Sequence, residues 1–182
     1  ANTARYETVA RANEAESTAR DQEIAQTSNA LAAALTPLGE AEWKQYFGDV
    51  GSAPDLPSDM AAILDGPCPF WPDKQVKDTH LLVLIPATVG GVPFTLNQLG
   101  ELIKHPKNGG HSTKYSFYGD SVKAQIGEQS PPRSYWLLMT RDVLPESQNK
   151  SYAAQKELVA GYASGGSVPY ELPSVLEVAT AI

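Results

Sequence analysis

With 182 residues, 42% apolar and 19% charged, the chain is long enough to bury the core of one domain and has an ordinary globular composition. Its 21 acidic residues against 14 basic ones leave a net charge of −7, which speaks against general affinity for nucleic acid or an anionic membrane surface. A single cysteine excludes an internal disulfide framework, and the strongest aliphatic run, Leu81 to Ile85, falls far short of the roughly 20 residues that span a bilayer.

Residues 1–39 hold only five Leu, Ile, Val or Phe but are rich in Ala, Glu, Gln and Arg, a composition that predicts a long helix. Ile24, Leu31, Leu35 and Leu38 share one face of it, whereas Asn13, Ser17 and Arg20 occupy the backward extension of that stripe. A coiled-coil seam needs apolar side chains there. The first 39 residues are therefore expected to form a helical arm that docks through its second half and ends at Pro37 and Gly39, with residues 40–182 as one globular domain.

Trp43, Tyr46 and Phe47 fall together on one or two helical turns, before Gly48, Gly51, Pro54 and Pro57 break the chain. A short helix follows, with Ser58 as N-cap, Met60, Ile63 and Leu64 as its apolar face, and Gly66 after its last turn. Three prolines between Pro67 and Pro72 predict an extended segment that carries Cys68, Phe70 and Trp71. Leu81 to Ile85 reads as a strand buried on both faces, closed by Pro86 and followed by a Gly90-Gly91 turn. Thr95 and Gln98 match a capping box that opens a helix with the stripe Leu96, Leu99, Leu102 and Ile103, stopped by Pro106.

Asn108-Gly109-Gly110 is a turn, Lys114 to Tyr118 alternates as a half-exposed strand does, and Ser121 to Ile126 is too short to assign. Tyr135 to Met139 is the second buried strand and ends in Thr140-Arg141-Asp142. Two helices close the chain, Tyr152 to Tyr162 and a segment from Pro173 to Ile182 with proline at its first position. The apolar, uncapped end at Ala181-Ile182 is what a chain continuing in a longer parent would show. The expected architecture is α+β, or irregular α/β: a small central sheet of strands near 81–85 and 135–139, surrounded by helices.

Catalytic signals are sparse. A nucleophilic Cys68 would need a cation or helix end to lower its pKa and a histidine base, with His80, His105 and His111 as the candidates. The same histidines lack the paired spacing of a zinc site, and no metal or other cofactor is expected. Gly90-Gly91 and Gly165-Gly166 lack the spacing and lysine of a phosphate loop, and Tyr162 stands where a nucleophile elbow needs glycine. Arg141 and Asp142 end a strand, where open sheets place ligand sites, and Arg141 suits bidentate contact with a carboxylate or phosphate. Such a pair also ties a sheet to a loop. Trp43, Phe70 and Trp71 stand beside proline-broken segments, where rigid rings favour partner contacts, although the same rings could close the core.

The segments EWKQYFGDVG, LPSDMAAIL, GPCPFWPDKQVKDTHLLVLIPATV, PFTLNQLGELI and SYWLLMTRDVLP resemble a recurring domain of uncharacterised proteins from chlamydia-related intracellular bacteria. The resemblance covers residues 43–145 and continues more weakly through the helix from Tyr152 and the YELP segment. It implies a bacterial protein of intracellular lifestyle and carries no activity, cofactor or partner. With no cleavable signal pattern at the amino terminus, the expected location is the cytoplasm, or a host cell reached without such a signal.

Two functional classes stand side by side. One is a binding module that meets another protein through the aromatic loops and arm, with Trp43, Phe70, Trp71 and Arg141 as contacts. The other is a small-molecule enzyme drawing on Cys68, His80, Arg141 and Asp142. The first accounts for more of the sequence.

Overall fold

The computed structural model describes residues 14–20, 22, 26, 36, 38–112, 119–163 and 168–182. Its elements in chain order are α1 (Glu40–Tyr46), α2 (Met60–Asp65), α3 (Val76–Thr79), β1 (His80–Ile85), β2 (Thr88–Val89), β3 (Val92–Pro93), α4 (Leu96–Leu102), α5 (Asp120–Ile126), β4 (Tyr135–Thr140), α6 (Tyr152–Ala163) and α7 (Val175–Ala181). The protein is α+β, as the sequence predicts. Residues 14–20 of the expected arm are helical, whereas Ile24, Leu31 and Leu35 and the predicted strand at 114–118 lie outside the described residues.

The two apolar segments pair with each other. β1 and β4 run antiparallel, with His80 opposite Thr140 and Ile85 opposite Tyr135. Leu38 adds an isolated parallel bridge to Val83 on the other side of β1 and accepts the Leu84 N–H at 3.0 Å. Both faces of the pair are covered, because residues directly opposite one another share a face and alternate along the strands. Leu138 packs with Met60, Leu64 and Val76, while Val83 and Ile85 belong to a second cluster with Trp43, Phe94 and Leu99. Leu176 and Ala179 of α7 pack against that second cluster. Five of the six β1 residues are buried, Leu81 being the exception. β4 differs: it is half-buried along its whole length, because its far edge meets a groove rather than protein.

Local chemistry explains most boundaries. Thr95 Oγ1 accepts the Gln98 N–H (3.1 Å) and starts α4, but the reciprocal half of the expected box is missing, since Gln98 Nε2 donates to Val89 O instead. α2 begins one residue later than predicted, with Asp59 rather than Ser58 at its N-cap. α7 starts two residues later than expected, with Ser174 as its N-cap and Val175 rather than Pro173 as its first residue: Ser174 Oγ accepts the Glu177 N–H and Glu177 Oε2 accepts the Ser174 N–H. Proline at 173 thus precedes the cap, where a missing N–H costs nothing. Gly90 and Gly91 hold φ of +60° and +79°, the left-handed pair that a two-residue hairpin turn between β2 and β3 requires.

Candidate binding groove

The outer edge of β4 is defined by which of its residues bond to β1. In antiparallel pairing, opposite residues alternate between exchanging both backbone bonds and exchanging none. Arg141 N donates to Thr79 O (2.8 Å), so positions 135, 137 and 139, at even steps from 141, turn their polar groups toward β1. Leu84 confirms the phase from the other strand, because its N–H leaves the pair to reach Leu38 O. Trp136, Leu138 and Thr140 consequently aim their N–H and C=O outward. None of these groups has a hydrogen-bond partner among the described residues.

They face a groove of about 630 Å³. All six residues of β4 line it, as they would in a groove that runs along the strand's outer edge. The segment 168–173, which carries Pro169 and Pro173 and forms no helix or strand, also lines it. Val143, Leu144 and Ser147 close one end together with Gln155 and Val159 of α6. Asp142, Glu171 and Glu177 supply the charge, and no Lys, Arg or His is among the described residues that line the groove.

Glu177 is already engaged. Tyr135 Oη donates to Glu177 Oε1 (2.8 Å) and Ser174 N to Oε2 (2.6 Å). Burial pushes the Glu177 carboxyl up, but these hydrogen bonds outweigh it and hold the group below the usual range. The Tyr135 hydroxyl is pushed above its ordinary value, first by burial and then by its hydrogen bond to Glu177 and the nearby negative charge. Asp142 and Glu171 are exposed and form no ion pair among the described residues.

The structure scatters the other residues named from the sequence. Trp43 has no exposed surface: its Nε1 donates to Leu84 O (2.9 Å) and its ring meets Phe94 edge-on at 5.1 Å. Phe70 is 5% exposed, at the centre of a cluster with Tyr162, Tyr170 and His80. Trp71 is half-buried beside it. These rings serve the core first. Arg141 is exposed and lies outside the groove lining, and its Nε donates to His80 O at 2.9 Å, tying the end of β4 to the start of β1. Thr140 and Asp142, by contrast, both line the groove.

Cys68 and His80 are both buried, and the His80 ring lies 5.8 Å from that of Tyr170. His80 Nδ1 lies 2.9 Å from Thr79 Oγ1 and 3.2 Å from Val76 O, while Nε2 is buried and has no partner among the described residues. Burial lowers the imidazole pKa to about 4 against the Val76 hydrogen bond, which raises it, and the Arg141 charge lowers it further. The Tyr170 hydroxyl is likewise buried without a described partner and is pushed up to about 12, chiefly by burial. Neutral His80 and the protonated Tyr170 phenol pack against Phe70 in an aromatic cluster, of which Phe70 and Tyr170 also line the groove. Among the described residues no group of three or more His, Cys, Asp or Glu is placed to hold a metal ion. No described helix is long and apolar enough to cross a membrane.

Most of the groove went unread in the sequence. In sequence the segment 168–173 carries no signal of a groove wall, and Tyr135 reads only as a strand residue. Comparison of the chain with protein-family models, with curated proteins and with solved structures gave no match.

Proposed function

We propose that this chain is a protein-interaction module that captures an extended polypeptide segment by strand addition to β4. One observation carries the proposal: Trp136, Leu138 and Thr140 each turn toward an apolar groove a backbone N–H and C=O that have no partner among the described residues. In recognition by strand addition, main-chain hydrogen bonds supply the affinity and pockets for alternate side chains supply the selectivity. A free edge is otherwise a liability that proteins cover, bulge or shorten. Among the described residues it is six residues long and open, with no bulge in the register. The interaction class expected from the sequence is kept, while the contact moves from the aromatic loops to β4. The family resemblance adds no activity, so the groove alone supports the reading.

The test is amide exchange by NMR, with a peptide of alternating valine and threonine flanked by lysine as probe. The Trp136, Leu138 and Thr140 amides exchange rapidly in the free chain and become protected when the probe binds. N-methylation of the probe at alternate residues, on the edge that would face β4, abolishes binding. Equal affinity of the methylated probe, or no protection of the three amides at saturation, refutes strand addition.

A further inference from the structure

The two ends of the groove differ, and the difference narrows the partner further, given the strand-addition reading above. We infer that the captured segment is the amino-terminal end of a polypeptide, added antiparallel to β4 with its α-ammonium group at Asp142. The Thr140 end is filled by the protein's own chain. Beyond Thr140 the backbone bends, and Val143, Leu144 and Ser147 all line the groove. Gln155 Nε2 of α6 donates to Ser147 O (3.2 Å), which fixes that stretch against the helix. The Tyr135 end adjoins space instead, because Tyr135 also lines a second hollow of about 350 Å³ with Pro131 and Ser174. A segment lying along the edge therefore runs out of room past Thr140 and continues past Tyr135.

Charge selects which terminus sits at the closed end. Asp142 stands two residues beyond Thr140, lines the groove and has no ion-pair partner among the described residues. No Lys, Arg or His is among the described lining residues, and the adjacent Arg141 turns its Nε back to His80 O. A carboxyl terminus would meet Asp142 as like charge. An amino terminus brings the positive group that an unmodified polypeptide carries there. From that end the segment runs toward Tyr135, against the direction of β4. Trp136, Leu138 and Thr140 then bond alternate residues of it, and the four strand steps between them, about 14 Å, match roughly its first five or six residues.

The experiment uses the full chain and a six-residue Val/Thr probe with a lysine at its carboxyl end. The probe is made with a free amine, with an acetylated amine, and with a run of serines added before or after the core. Fluorescence anisotropy gives the affinities, and NMR of the Trp136, Leu138 and Thr140 amides shows whether each probe lies on the edge. Acetylation weakens binding about twofold to fivefold, the worth of one exposed ion pair, and Asp142→Asn erases that difference. Asp142 is exposed, so the fold survives the change. Serines before the core weaken binding at least about tenfold, whereas serines after it change little. A nitroxide at the probe's carboxyl end broadens the Tyr135 amide more than the Asp142 amide. With the edge amides protected, equal binding of the free and acetylated probes, equal binding of the free and serine-preceded probes, or the reverse broadening each overturns the terminus inference and leaves strand addition intact. Failure of every probe to protect those amides overturns both. Protection of the same amides in a dimer that forms without probe assigns the edge to a second copy and likewise overturns the inference.

Discussion

Leu84 and Trp136 face each other across the central strand pair, and each turns its backbone polar groups away from the other. On the Leu84 side those groups are satisfied inside the protein, the N–H by Leu38 O and the carbonyl by Trp43 Nε1. On the Trp136 side the backbone groups face the groove with no partner among the described residues, although the indole Nε1 donates to Pro54 O at 2.8 Å. The two strands are thus equivalent in sequence character and opposite in environment: β1 is an interior strand and β4 an edge.

This asymmetry predicts an alternating exchange pattern without any ligand. Amides of Leu137 and Met139, bonded to β1, should exchange at least about a hundredfold more slowly than those of Leu138 and Thr140. Hydrogen exchange followed by NMR measures it. Uniform protection along β4 would show that its outer edge is covered in solution.

Core truncation should be costly on the β1 side. Leu84 is 1% exposed, and Leu84→Ala is expected to cost about 2–5 kcal/mol in urea denaturation. A loss below about 1 kcal/mol would contradict the buried strand pair.

Trp43→Phe should destabilise by about 2–4 kcal/mol, because it shrinks a fully buried ring and strands the Leu84 carbonyl without its donor. Equilibrium unfolding at neutral pH reads the change. A near-neutral result would mean that water reaches that carbonyl.

His80 should make the chain acid-sensitive. Its pKa falls from 6.5 to about 4 on folding, so between those values the unfolded chain binds a proton that the folded chain refuses. Its contribution to stability is complete above pH 6.5, is lost as the pH falls toward 4, and changes little below that. The whole window is worth roughly 3 kcal/mol. Denaturation of the wild type and His80→Gln across this range isolates the effect, since the variant should show a markedly shallower decline.

Tyr135→Phe removes the hydroxyl that bonds Glu177 and should cost about 1–2 kcal/mol, since the acceptor is charged and half-buried. The Glu177 carboxyl should then titrate nearer its ordinary value, which carboxyl-carbon NMR detects. The stability contributed by that carboxylate is present above the ordinary carboxyl range and is lost as the pH falls through it.

The elements legible in the sequence are those whose signal is local. Five consecutive aliphatic residues closed by Pro86 announce β1, Gly90-Gly91 announces its turn, and Thr95 announces the start of α4. α3 escaped notice because one turn of Val-Lys-Asp-Thr carries no periodicity, and its cap is a Gln75 N–H held by Asp78 Oδ2. α5 was too short to separate from a loop by pattern alone. Thr140 and Asp142 were suspected through their place at a strand end, and both reach the groove. Arg141, suspected on the same ground, instead closes the strand pair at His80.

What the chain determined by itself is which segments leave water and roughly where they stop, since hydrophobic patterning, prolines and capping side chains act within a few residues. It could not say which apolar strand would lie inside and which at the edge, because runs at 81–85 and 135–139 are equally aliphatic or aromatic. That was decided by Leu38 and Trp43, distant in sequence, which occupy the outer side of β1 and leave the matching side of β4 to segment 168–173, set back by a groove. A free strand edge is a property of what fails to pair, and pairing is settled only when the whole chain has packed.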